Sequence, residues 1–143
     1  MKGIEKMNEE NRINVLLVQP MKEPEMISID DSLESMQKIV GGNIEEYMPF
    51  EDDVALICNE EGKMRGMQLN RAIFSEESGS LQDVIAGDFF IAYAPIESEN
   101  FLSLPDDLAK KYKEKFNRPE QFVMMNDGIK VVPIMPKEKT LER

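Results

Sequence analysis

Ile13-Asn14-Val15-Leu16-Leu17-Val18 is the stretch from which the fold of this chain is read. It is short, rich in leucine and β-branched residues, almost continuously apolar, and stops at Gln19-Pro20. A strand with one wet face alternates apolar and polar residues, so a run with little alternation predicts a central strand covered on both faces. Upstream, residues 1–12 are charged and lack an apolar period; we expect a flexible extension there and order from Ile13 onward. Downstream, Lys22-Glu23-Pro24 marks a loop, and Glu25 to Ile29 follows as a second strand placed to pair with the first as a hairpin.

The next element changes period. Leu33, Met36, Ile39 and Val40 recur at helical spacing, Asp31 is the expected N-cap, and Glu34 lies three residues on as in a capping box. Gly41-Gly42 closes the helix by supplying the left-handed C-terminal conformation. A phosphate-cradling loop is disfavoured here, because such loops precede a helix and this glycine pair follows one. Asn43 to Met48, Val54 to Asn59, Gln68 to Phe74, Leu81 to Ala86 and Phe89 to Tyr93 read as strands separated by acidic or glycine-containing turns. A second helix is expected from about Pro105 to Phe116, with Ser103 near its start, Asp106 and Asp107 in its first turn, and Leu104, Leu108, Tyr112 and Phe116 on one face. Phe122 to Met125 and Ile129 to Ile134, joined by Asn126-Asp127-Gly128, form a terminal hairpin. The expected architecture is one α+β domain over residues 13–136, a mixed or antiparallel sheet with two helices, followed by a tail at 137–143.

Size and composition agree with one self-sufficient core. A chain of 143 residues buries roughly 70% of its unfolded surface and needs no staples. No apolar run approaches the roughly 20 residues of a membrane-spanning helix, and the polar N-terminus is unlike a signal peptide, so a cytoplasmic protein away from membranes is expected. The single cysteine, Cys58, sits inside Val-Ala-Leu-Ile-Cys and reads as a small buried hydrophobe. Of eleven methionines, Met26, Met36 and Met48 fall at apolar pattern positions and are expected in the core. Lys110, Lys111, Lys113 and Lys115 are expected to form the wet face of the second helix.

Several stretches resemble a known family, the domain of unknown function 3846 of phages and other bacterial mobile elements. They are Ile13 to Gln19, Gly41-Gly42-Asn43-Ile44, Val54 to Lys63, Asn70-Arg71-Ala72 and Ile85 to Ile91, together spanning about residues 13 to 93. The resemblance implies a compact accessory protein of mobile-element origin and brings no activity, cofactor or catalytic residue with it.

Composition narrows the function classes. There is no histidine, so Ser-His-Asp and Cys-His catalysis and histidine-ligated zinc or iron are excluded; one cysteine excludes thiolate-rich metal sites. Carboxylate chemistry survives, as an acid pair on a glycosidic bond or a carboxylate cluster around magnesium. The candidates, Glu51-Asp52-Asp53, Glu60-Glu61, Asp83 with Asp88, and Asp106-Asp107, all lie at turns or a helix start, where acids are ordinary. We therefore expect a non-enzymatic binding protein without cofactor or metal.

Two modes of binding follow. With 28 Asp and Glu against 17 Lys and Arg the formal net charge is −11, which opposes direct nucleic-acid binding and favours a surface that occupies a nucleic-acid groove on another protein. That acidic surface is expected at Glu45, Glu46, Glu51, Asp52, Asp53, Glu60 and Glu61, with a host defence protein, a nuclease or immune effector, as partner. The alternative is a sponge for a nucleotide signal of host immunity, with Asn59, Lys63, Asn70 and Arg71 supplying polar groups and cations, and with a homo-oligomer closing the pocket.

Overall fold

In the computed structural model, which describes residues 11–134, the core is a five-stranded antiparallel sheet in the order β2-β1-β7-β4-β3. Its strands are β1 (Arg12–Val18), β2 (Glu25–Asp30), β3 (Ile44–Tyr47), β4 (Val54–Asn59) and β7 (Phe89–Tyr93). A short helix, α1 (Leu33–Val40), links β2 to β3. Between β4 and β7 the chain leaves the sheet to form a two-stranded ribbon, β5 (Leu69–Phe74) with β6 (Leu81–Ala86). A second helix, α2 (Asp106–Lys115), and a separate hairpin of β8 (Glu120–Met125) with β9 (Gly128–Pro133) follow.

The sheet is apolar on both faces, as the Ile13–Val18 run requires. Ile13, Val15, Ala55, Ile57, Phe90 and Ala92 pack on one face with Met36 and Val40 of α1. Leu16, Val18, Val54, Leu56, Phe89 and Ile91 pack on the other with Ile73 and Ile85 of the ribbon and Leu104, Tyr112 and Phe116 around α2. β4 is buried at all six positions because strands flank it on both sides and layers cover both its faces. Cys58 is buried there, as expected.

Local details refine the sequence expectations. β1 begins at Arg12 rather than Ile13, its guanidinium paired with Asp30 at 2.8 Å, while residues 1–10 of the expected extension, and the tail at 137–143, lie outside the described residues. Ser32, not Asp31, caps α1: its hydroxyl accepts from the Ser35 N–H at 3.1 Å, whereas the Asp31 N–H donates to the Asn11 carbonyl. The capping box with Glu34 therefore does not form, because Ser35 occupies its third position. Gly41 ends α1 at φ 80°, its N–H on the Gln37 carbonyl. Helix α2 has no side-chain cap; the Ser103 hydroxyl instead accepts from the Asn14 N–H at 2.9 Å and ties the helix entry to β1. Met36 is buried, but Met26 and Met48 are 36% and 48% exposed, because they lie on or beside the two edge strands, where one face has no cover.

Candidate functional site

The seven acids expected to share a surface are distributed over β3 and the two ends of β4. β3 is the last strand of the sheet and hydrogen-bonds only to β4 among the described residues. Glu45 and Glu46 sit in its middle, opposite Cys58 and Ile57. Because strand side chains alternate, Glu45 projects toward the ribbon and Glu46 toward α1. Glu60 and Glu61 follow the far end of β4, and Glu51, Asp52 and Asp53 precede its near end, so the two loops are separated by roughly 17 Å of strand. Glu76 joins the near end, its carboxylate accepting from the Glu51 N–H at 2.9 Å.

Cations partly neutralise this edge. Asp52 accepts from Lys111 at 2.6 Å and from the Tyr112 hydroxyl at 2.8 Å, and these bonds hold its carboxyl below the usual range. One lysine of the α2 face is thus an ion-pair partner, and Lys115 lies 5.2 Å from the Phe50 ring centre. Glu61 pairs with Arg65 at 3.4 Å. Glu45, Glu46, Glu51, Asp53 and Glu60 have no ion-pair partner among the described residues, so they carry the uncompensated charge of the edge.

A cleft of about 150 Å³ opens beside β3 on the ribbon side, lined by Glu45 and Tyr47, by the turn after β4, and by Asp83 to Ala86 of β6. Gly62 brings turn and ribbon together: a Cβ there would stand 2.7 Å from the Ala86 carbonyl oxygen, so only glycine permits the approach. Lys63 crosses the cleft to Asp83 at 2.7 Å and is the one lysine of its lining among the described residues. Against it stand Glu45, Glu60, Glu61 and Asp83. The Cys58 thiol is pushed up to about 11, by burial first and by Glu45 and Asp83 next, and Tyr47 is raised by burial first and by Asp83 and then Glu45. With four carboxylates and a single lysine among the described residues of its lining, the cleft favours a cation or a neutral donor over a phosphate.

The four residues of the nucleotide alternative do not come together. Arg71 is 0% exposed. Its Nε and Nη2 donate to the Phe116 carbonyl at 3.1 and 2.8 Å, Nη2 also reaches the Lys22 carbonyl at 2.6 Å, and Nη1 reaches Asn70 Oδ1 at 3.0 Å. Asn70, equally buried at a bulge in β5, donates to the Val18 and Gly87 carbonyls at 2.9 and 2.8 Å. Both side chains are consumed in fastening the ribbon to β1 and to the end of α2. Asn59 donates to the Val40 carbonyl at 3.0 Å and accepts from the Glu61 N–H at 2.7 Å, which closes α1 and shapes the turn. Lys63 alone of the four has an exposed charge, and it is committed to Asp83.

Of the carboxylates considered for catalysis, Glu60, Glu61 and Asp83 line the one cleft, whereas Asp88 lies outside it. Asp88 accepts from Gln19 at 3.0 Å, while Asp83 holds Lys63 and the Val84 N–H. Among the described residues no group of three or more acids or cysteines is arranged to hold a metal ion, and no helix is long and apolar enough to cross a membrane. A family model described as Domain of unknown function (DUF3846) matches residues 13–117. No curated protein and no solved structure matches the chain.

Proposed function

The chain belongs to the DUF3846 family, whose description names no function, and from its own surface we propose that it is a non-enzymatic protein that docks through its acidic β3 edge onto a basic surface of another protein. One observation carries this: five carboxylates without ion-pair partners among the described residues, Glu45, Glu46, Glu51, Asp53 and Glu60, belong to β3 and to the two ends of β4, the ends being separated by roughly 17 Å of strand. A duplex presents one negative charge per roughly 1.7 Å, and proteins that grip it line the groove with Lys and Arg, so an acidic edge of this length competes for such a groove. The partner class is a nucleic-acid-gripping enzyme, and a counter-defence role against a host nuclease is the setting we propose for it. The nucleotide sponge loses support, because Asn70 and Arg71 are buried in carbonyl contacts and the remaining cleft is negative.

The test is a pull-down from bacterial lysate with the wild-type chain and with a variant carrying Glu45→Lys, Glu46→Lys, Glu51→Lys and Asp53→Lys. We expect captured nucleic-acid-binding proteins to be released by salt and by added duplex DNA, and to be lost in the variant. Capture that ignores all four reversals would overturn the proposal.

A further inference from the structure

Two concavities lie back to back on β3. On the ribbon side Glu45 and Tyr47 form a wall of the acidic cleft. On the α1 side Ile44 and Met48 line a groove of about 480 Å³ closed by Leu33, Ile96 and Phe101. Leu33 and Ile96 are 58% and 93% exposed, large apolar side chains left in water. Asp31, Glu46 and Glu99 also line that groove, and among the described residues no Lys or Arg does. Between the two, the outer backbone edge of β3 faces no strand among the described residues.

We propose that β3 receives an extended segment of a protein partner in which basic and apolar residues alternate, the segment adding as a sixth strand. Successive side chains of a strand point to opposite faces, so a strand paired with β3 places every second residue in the acidic cleft and the intervening ones in the apolar groove. Lysine or arginine answers Glu45 and Glu60 on the first side, and leucine-like side chains cover Leu33, Met48 and Ile96 on the second. Edge acids ordinarily blunt indiscriminate pairing, and here they also select, because a basic strand relieves the repulsion that an acidic or neutral one leaves in place. A second copy of this chain is a poor occupant, since antiparallel pairing of two β3 strands sets Glu45 and Glu46 against their own kind. The inference rests on the acidic-edge function proposed above and adds the backbone pairing and the residue pattern of the partner.

The probe is a fluorescent hexapeptide of alternating lysine and leucine, measured by anisotropy against the full chain, with a twin N-methylated at the backbone positions that face β3. We expect the plain peptide to perturb the amide resonances of residues 44–47, and N-methylation to weaken binding about tenfold, as the loss of strand hydrogen bonds requires. Leu33→Asp, a change at an exposed site, should weaken it comparably. Equal affinity for the two peptides overturns strand addition, and the acidic-edge function then survives if Glu45→Gln with Glu46→Gln still weakens binding. Affinity untouched by that double variant overturns both. Absence of binding by the plain peptide overturns the inference, as does a dimer in native mass spectrometry whose interface amides are those of β3.

Discussion

Replacing Arg71 by alanine removes the donor that holds three separate segments together, and its cost can be worked from the contacts. Nε and Nη2 satisfy the Phe116 carbonyl at the end of α2, and Nη2 satisfies the Lys22 carbonyl in the loop after β1, at 3.1, 2.8 and 2.6 Å. A buried acceptor stripped of its partner costs about 1–3 kcal/mol, so the buried Phe116 carbonyl, which loses two donors, is set at about 3 and the part-buried Lys22 carbonyl at about 1 kcal/mol, about 4 kcal/mol together. Part of this is returned, because an arginine without a carboxylate in direct contact is held charged against desolvation, which lowers its pKa even with Glu120 nearby. The expected net loss is about 3 kcal/mol, a large share of the 5–15 kcal/mol that a domain possesses. With an m-value of about 2 kcal/mol/M, the urea midpoint falls by about 1.5 M. Arg71→Met refills the volume without restoring a donor and should lose about 2 kcal/mol or more; Arg71→Lys keeps the charge but not the planar fork and should also fall short of wild type. Equilibrium urea unfolding of the three variants settles the matter. A midpoint shift under about 0.5 M for Arg71→Ala would show that the carbonyls find other partners and would refute the assignment.

Three further outcomes are expected. Asp52 is depressed by hydrogen bonds from Lys111 and Tyr112, so its contribution is present above the ordinary carboxylate value of 3.8 and is lost as pH falls through the lower folded value; Asp52→Asn should be less stable by up to about 1 kcal/mol at neutral pH, with the gap closing on acidification, as urea unfolding across pH would read. Gly62→Ala places a methyl 2.7 Å from the Ala86 carbonyl oxygen and should cost about 1–3 kcal/mol by thermal or chemical unfolding, a neutral result meaning that turn and ribbon separate freely. Cys58, raised to about 11 and buried, should react with Ellman's reagent at pH 8 on the order of 100-fold more slowly in the native protein than in urea.

Regular elements were legible because their signals are local. The Ile13–Val18 run, the Gly41-Gly42 stop and the apolar stretches bounded by turns place strands and helices to within a residue or two of their observed ends. The cap of α1 was misassigned by one position, since Asp31 and Ser32 are both capping residues and only the path from Asn11 decides which side chain is free to turn inward. The acidic edge was legible as composition and its placement followed from β3 being terminal in the sheet. Arg71 was not legible: its acceptors are main-chain carbonyls of Lys22 and Phe116, 49 and 45 residues away, and a carbonyl leaves no mark in a sequence. The pairing of Asp52 with Lys111, 59 residues apart, is hidden for the same reason. The apolar groove beside β3 went unseen because Leu33 and Ile96, one in a helix pattern and one in a loop, meet only after β7 is in place.

β7 lies between β1 and β4, and this order governs how the chain assembles as it is made. The β1–β2 and β3–β4 hairpins pair between near neighbours, yet no ladder joins one to the other until residues 89 to 93 are available to lie between them. Until then β1 and β4 each present an unpaired, strongly apolar margin to the solvent. A nascent chain halted before Phe89 is therefore two sticky half-sheets, and the late arrival of one five-residue strand turns them into a single hydrogen-bonded layer.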